Sequence, residues 1–371
     1  MSTNNLPDVE LNKYERGLHT NILNIYPQCD KLIDSMPKSI WVFHHTDMDG
    51  YCSGHIVERW LHETGIKESE SVNEIHLIAA DYNTDFSKFE ILPNDVVIFV
   101  DLSFTIKTVD RLKSIVRNIT KNIIWIDHHA SNVDLVDNDE EFAEMVKEFP
   151  ICVLGNKENK YSAAMLTYCT LFRAIPMDAP YYIKLVSDWD TWTHNLEDSI
   201  YFNEAMNGDL YFRLVDEEGN INKECTYIKL WEEAKNNDYE LVETLINKGK
   251  PVVDDRRVKD SRYLRSNGFE FELFGYKWLV CNQRSNSLLF GDKINEYDIV
   301  CPFVLQQRNG KLIYTYSLFT ANKEIDCKEI AELFGGGGHQ GAAGFSLKWN
   351  LFTCNKLLLR FRLFKLKCKS K

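Results

Sequence analysis

Apolar runs bounded by polar turns punctuate the first half of the chain: SIWVFHH (39–45), EIHLIAAD (74–81), DVVIFVD (95–101), NIIWIDHH (122–129) and FPICVLG (149–155). They are apolar at consecutive rather than alternate positions, as strands covered on both faces are. Helix-like stretches separate them, among them 54–64 and 106–118, and a longer one, YSAAMLTYCTLFRAI, follows the fifth run. Strands alternating with helices predict an α/β domain: a parallel sheet with helices on both faces.

From about Cys225 to Lys250 the pattern turns charged and helical, and GKPVVDDRRVKDSR (249–262) reads as a hinge or exposed link. Beyond it the period changes. FEFELFGYKWLVCN (269–282) and IVCPFVLQQRNGKLIYTYSLF (299–319) read as hairpins, the second turned by Asn309-Gly310. A short helix, CKEIAELF, and the run GGGGHQGAAGF follow. The expected organisation is an α/β domain at 1–210, a helical linker at 211–262, a smaller α+β domain at 263–350 and a basic tail at 351–371.

With 371 residues the chain exceeds one ordinary domain, and 44% hydrophobic with 26% charged residues describes a globular protein. The net charge of −12 argues against a broad basic groove for long duplex nucleic acid. It leaves room for a small anionic ligand, because a metal ion supplies positive charge locally. The ten cysteines contain no CxxC pair, which fits reduced thiols better than a zinc ribbon or a disulfide framework. The start lacks an apolar leader segment and no run is long enough for a membrane span, so the expected location is cytoplasmic.

Candidate chemistry collects where the apolar runs end. The first delivers His44, His45, Asp47 and Asp49; the third, Asp101; the fourth, Asp127, His128 and His129. YIKLVSDWDTW adds Asp188 and Asp190 at the end of another apolar stretch. Ligands of open parallel sheets bind outside the carboxyl ends of the strands. Clustered carboxylates repel one another, and two divalent ions sharing a bridging carboxylate would relieve that repulsion. Imidazole with carboxylate and no thiolate suits manganese, iron or zinc. Ser162 opens the helix after the fifth run, as an N-cap or a substrate contact. Trp189 and Trp192 are candidates for base stacking or core packing, and His194 reads as structural.

This order of motifs resembles the DHH phosphoesterase superfamily over about residues 38–346, with Asp127-His128-His129 as its Asp-His-His. His45-x-Asp47-x-Asp49-Gly50 is similar to its first motif, Asp101 to its second and Asp188 to its fourth. GGGGHQGAAGF is similar to the glycine-rich signature of the family's associated C-terminal domain. The resemblance implies two divalent ions, manganese above others. One would be held by His45, Asp47 and Asp101, the other by Asp49, Asp101, His128 and Asp188. Asp127 would orient a histidine, and His129 would face the substrate phosphate. Gly336, Gly337, Gly338 and His339 would hold the nucleotide part of the substrate. Two choices stay open, His44 against His45 and Asp190 against Asp188.

The implied activity is hydrolysis of very short oligonucleotides to mononucleotides by a water activated between the ions, as in the nano-RNase (oligoribonuclease) branch. Alternatives are a linear or cyclic dinucleotide phosphodiesterase, a 3′-phosphoadenosine 5′-phosphate phosphatase, a single-strand DNA exonuclease and an inactive nucleotide sensor. The implied partner is a short oligonucleotide or dinucleotide, with no membrane; a homodimer is allowed for.

Overall fold

The structure is a computed structural model. It describes residues 39–348 except 67–71, 73, 82–83, 105–107, 156–160, 210–214, 216–221, 223, 274, 285–286, 309 and 339. The chain divides into two units at Gly249–Lys250.

In the first unit the apolar runs form β1 (Ser39–His44), β2 (Glu74–Ala79), β3 (Val96–Val100), β4 (Ile123–Asp127) and β5 (Ile151–Leu154). They pair in the order β2-β1-β3-β4-β5, every pair parallel. The expected α/β class is what the chain adopts. Between them run α1 (Met48–Glu63), α2 (Val109–Asn118), α3 (Ala130–Asn138) and α4 (Glu140–Lys147), followed by α5 (Ala163–Phe172), α6 (Tyr181–Asp190), α7 (Asp198–Asn207) and α8 (Thr226–Lys235).

One face of the sheet carries an aromatic core. Trp41, Phe43, Phe99 and Trp125 pack there against Phe86, Phe104, Leu112 and Phe142. Trp125 is wholly buried, and its indole N–H donates to the Leu102 carbonyl at 3.1 Å, so burial leaves no donor unmet. On the sheet, α1 packs on β1 and β3, and α5 on β3 and β4. Burial on both faces is why these strands read as continuous apolar runs. Under the strands, Asp95 accepts from Ser39 N at 3.0 Å, Trp41 Nε1 at 2.9 Å and Leu92 N at 2.8 Å.

Two sequence expectations change here. YIKLVSDWD is not a strand-like run but the helix α6. The stretch 249–262, expected as a hinge or exposed link, is helical. It lies inside α9 (Glu240–Asn267), which continues through Pro251; the stretch is largely exposed and begins where the two units divide. Much of the expected linker therefore belongs to the first unit. Tyr227 and Trp231 of α8 are buried, and they donate to the Met48 carbonyl at 3.1 Å and to Glu63 Oε1 at 2.9 Å. Gly249 sits on the Tyr201 backbone, where a Cβ would come within 1.9 Å of the carbonyl oxygen.

The second unit is a mixed sheet of order β10-β11-β9-β8-β7-β6. The hairpins are β6 (Phe269–Leu273) with β7 (Tyr276–Asn282) and β8 (Ile299–Arg308) with β9 (Lys311–Phe319); α10 (Cys327–Glu332), β10 (Gly337–Gly338) and β11 (Ala342–Lys348) follow. Ile330 and Phe334 close its core against Cys301, Leu318 and Phe345. His339 and the basic tail lie outside the described residues. Among the described residues, no helix is long and apolar enough to cross a membrane.

Candidate metal centre

Strand order places the site. The chain leaves β1 for β2 on one side, and β3 lies on the other, so a crevice opens at the carboxyl end of β1. The register pairs His44 with Val100 and Val100 with Ile126. His45, Asp101 and Asp127 consequently emerge level from three adjacent strands.

His45 leaves β1 with Nδ1 2.7 Å from Asp47 Oδ2 and 3.7 Å from Asp101 Oδ2. Asp47 caps α1 by accepting from Gly50 N at 2.9 Å. A Cβ on Gly50 would lie 2.3 Å from the His45 carbonyl oxygen, so only glycine lets this turn close. His44 goes the other way. It is fully buried beside Tyr51, and burial lowers its imidazole to about 4. Of the two histidines left open by the sequence, His45 is the one at the carboxylates.

Asp49 is held by the start of α5, accepting from Ala163 N at 2.8 Å and Ala164 N at 3.0 Å. Burial and the neighbouring Asp47 charge nevertheless raise its carboxyl to about 7. Ser162 caps α5 and hydrogen-bonds Asp49. It is 0% exposed, so a role as a substrate contact does not hold; it braces a carboxylate from behind.

Asp101 is the centre of the arrangement. Its φ is 54°, a left-handed conformation that costs a non-glycine residue energy and recurs where function demands it. Both carboxylate oxygens are buried and meet no hydrogen-bond donor among the described residues. Around them stand His128 Nε2 at 3.6 Å, His45 Nδ1 at 3.7 Å and His129 Nδ1 at 3.9 Å. Burial, followed by the charges of Asp47, Asp49 and Asp190, raises its carboxyl well above the usual range.

Asp127 ends β4 and turns away from this centre to organise the next residues. It accepts from His129 N at 2.9 Å, pairs with His129 Nδ1 at 2.9 Å and accepts from Asn132 Nδ2. Burial opposes both charges of this pair, yet each stabilises the other: Asp127 falls to about 2 and His129 rises to about 9. Gly155 completes the support, since a Cβ there would lie 2.7 Å from His128 Cα.

The last acid is Asp190, not Asp188. Asp190 Oδ2 stands 3.2 Å from His128 Nε2. Asp188 accepts instead from Thr193 Oγ1 at 2.8 Å, Asn195 N at 2.7 Å and Leu196 N at 3.2 Å. Residues two apart on a helix are rotated by roughly 200°, so one turn of α6 cannot present both to the same place. Read as a strand end, the stretch gave no reason to prefer the second acid; the Asp-x-Asp spacing on a helix was the signal.

The donors fall into three groups, each with its ligand atoms within 4.8 Å of one another: His45, Asp47 and Asp101; Asp49, His128 and Asp190; Asp101, His128 and His129. Donors bound to one transition-metal ion at about 2.0–2.2 Å stand roughly 3 Å or more apart, so these spacings fit cations. Carboxylate with imidazole is the donor chemistry of manganese, iron and zinc. The buried, donorless oxygens of Asp101 are what a cation would satisfy.

Gly336 and Gly338 have a different explanation. A Cβ on Gly336 would lie 2.0 Å from the Gly344 carbonyl oxygen, and one on Gly338 would lie 2.5 Å from Ala343 Cα. They are glycine so that β10 can lie on β11, while Gly337 faces open space.

No protein-family model matches the chain. A curated relative, an uncharacterized protein of Acanthamoeba polyphaga mimivirus, is 21% identical over 334 residues, spanning 86% of this chain and 70% of that protein. Among solved structures, the DHH domain of a member of the s1p family of ribosomal proteins matches with a TM-score of 0.61. It is 14% identical and covers 96% of this chain and 92% of its own. RecJ from Thermus thermophilus in complex with Mn2+ has a TM-score of 0.45 at 15% identity, over 95% of this chain and 55% of its own. The first of these two structures shows the fold: the chain folds as a DHH domain.

Proposed function

We propose that the chain is a divalent-metal-dependent phosphodiesterase that hydrolyses very short oligonucleotides to mononucleotides, with manganese as its metal. The observation that carries this is Asp101: strained, buried, without a donor, and faced by three imidazoles. One cation would be held by His45, Asp47 and Asp101, and a second by Asp49, Asp101, His128 and Asp190. When bound, such a pair supplies Lewis acidity toward phosphoryl oxygens and a water acidic enough to attack phosphorus near neutral pH.

The side chains of the chain do the rest. Asp127 fixes the His129 ring through Nδ1 and favours its protonated form, so His129 is oriented to bind a phosphoryl oxygen and to pass a proton to the leaving oxygen. Ser162 and the Ala163 and Ala164 amides fix the Asp49 carboxylate, so it need not reorient on binding. The acidic net charge favours short substrates, which need few basic contacts.

The test is manganese-dependent cleavage of an end-labelled ladder from two nucleotides to about twenty, by the wild type and by Asp101→Ala. Cleavage of the shortest oligomers, lost in the variant, is the expected result. Turnover that survives Asp101→Ala contradicts the two-cation reading, and cleavage of only the longest oligomers contradicts the short-substrate reading.

A further inference from the structure

The sheet of the second unit ends on a strand whose outer side is unanswered. β6 pairs with β7 alone, so alternate residues turn their N–H and C=O groups away from the sheet. Among the described residues nothing takes those groups up. The sequence of β6, FEFEL, alternates. Phe269 and Phe271 share a face with Val280 and Trp278, their partners across the hairpin. Phe271 stacks on Phe269 and on Trp278, with centroids 6.4 and 6.0 Å apart. Both rings are nevertheless open to solvent, Phe269 by 48% and Phe271 by 38%.

Glu270 and Glu272 point to the opposite face and are exposed. Glu270 accepts from the Tyr297 hydroxyl. Lys277, across from Glu272, lies over the Tyr297 ring at 4.3 Å, and among the described residues no ion pair engages Glu272. An edge with free backbone groups and apolar side chains is a template for one more strand. Charge selects which. Two copies of β6 side by side, in either direction, would set glutamate against glutamate, which is destabilising. The strand that fits alternates apolar with basic residues.

The chain carries such a sequence, LRFRL (359–363), in the basic segment that follows β11. The length between suffices. Lys348 is level with Gln306 through Ile313, and Phe269 is level with Cys301 through Val280. Four strand spacings and five residues therefore separate Lys348 from Phe269, about 25 Å. Residues 349–358 extend to about 33 Å. A segment coming from Lys348 meets β6 at Phe269 first and continues parallel to it. We infer that residues 359–363 add to β6 as a seventh, parallel strand, with Leu359, Phe361 and Leu363 beside Phe269, Phe271 and Leu273, and Arg360 and Arg362 beside Glu270 and Glu272. The occupant of this edge is the chain's own basic segment, which covers the two open phenylalanines and neutralises the two glutamates.

The test is amide hydrogen exchange of the full chain, read by mass spectrometry. In the wild type the amides of 359–363 should exchange about tenfold or more slowly than in a synthetic peptide of residues 351–371. Glu270→Lys with Glu272→Lys should remove that protection. Adding Arg360→Glu with Arg362→Glu to the same chain should restore it, which a role for the glutamates in folding alone would not do. Slow exchange in β8 shows that each variant is folded. Peptide-like exchange of 359–363 in the folded wild type overturns the added strand. So does protection that survives reversal of the glutamates, or that fails to return when the arginines are reversed as well. Protection that falls on dilution also overturns it, because the strand then comes from another copy.

Discussion

Asp101 in the first unit and Gly338 in the second both sit at positive φ, 54° and 140°, and both lie in segments rich in residues that suggest a ligand. Their surroundings differ. The backbone of β11 already occupies the space beside Gly338, where a Cβ would lie 2.6 Å from the Ala342 carbonyl oxygen. Around Asp101 the balance is unfilled: two buried oxygens without a donor, and imidazoles too distant for hydrogen bonds. A residue whose peculiarity is answered by its neighbours is explained by packing; one whose peculiarity is not answered marks a ligand.

The sharpest way to break this contrast is Asp101→Asn, which keeps shape and tolerates positive φ. Losing a shared carboxylate removes several kcal/mol of charge stabilisation, so manganese-dependent turnover should fall by on the order of a thousandfold. The same change should raise the melting temperature of the metal-free protein at pH 8. A carboxyl that burial and neighbouring charges raise costs the folded state stability above the ordinary carboxylate range, and an amide does not ionise. Activity and stability moving in opposite directions is the signature; a variant that also melts lower would make Asp101 structural.

On the other side of the comparison, Gly336→Ala should destabilise the second unit by about 1–3 kcal/mol through overpacking against Gly344. Manganese uptake should be untouched. Gly337→Ala, in open space, should cost at most about 1 kcal/mol. Denaturant unfolding of the two variants distinguishes them, and equal losses would remove the packing account of the glycine run.

Asp127→Asn should reduce manganese affinity or turnover by about 10–100-fold, the usual effect of removing the partner that orients a site histidine. The pH profile of turnover should change with it, because the group that holds His129 up near about 9 is gone.

A smaller effect is expected in the pH dependence of stability. Burial and neighbouring charge raise Asp49 to about 7, and Asp101 and Asp190 also rise. Unfolded, these acids would lose their protons near pH 4. Between about pH 4 and 7 these three acids hold more protons folded than unfolded, so their contribution to the stability of the metal-free protein should fall as pH rises, while the lowered, buried His44 and His55 contribute in the opposite direction below about pH 6.5. Saturating manganese should reverse the slope, since bound cations favour the ionised acids. Melting temperatures across this range, with and without a chelator, check the sign.

The sheet was legible because doubly covered strands are apolar at consecutive positions, and the acids and histidines stood out at the ends of those runs. Val100 beside Ile126 and His44 is register, which is a property of three strands together; the run ends only suggested it. Asp188 and Asp190 could not be told apart because the stretch reads alike as strand or helix: a strand puts residues two apart on one face, and the helix that forms puts them on nearly opposite ones. Ser162 and the glycines were seen as special, but their reasons lie in segments distant in sequence: Asp49 for the serine and β11 for Gly336. The stretch 249–262 looked like a link because it is charged and contains Pro251. Helix α9 continues there all the same, closely seated through Gly249 on the Tyr201 backbone.

The most direct test is the number of manganese ions taken up per folded chain, measured by calorimetry on the wild type, Asp190→Asn and Asp188→Asn. Two ions for the wild type, fewer for Asp190→Asn and two for Asp188→Asn is the result expected. No uptake by folded wild-type protein, or uptake lost with Asp188 and kept without Asp190, would contradict the account.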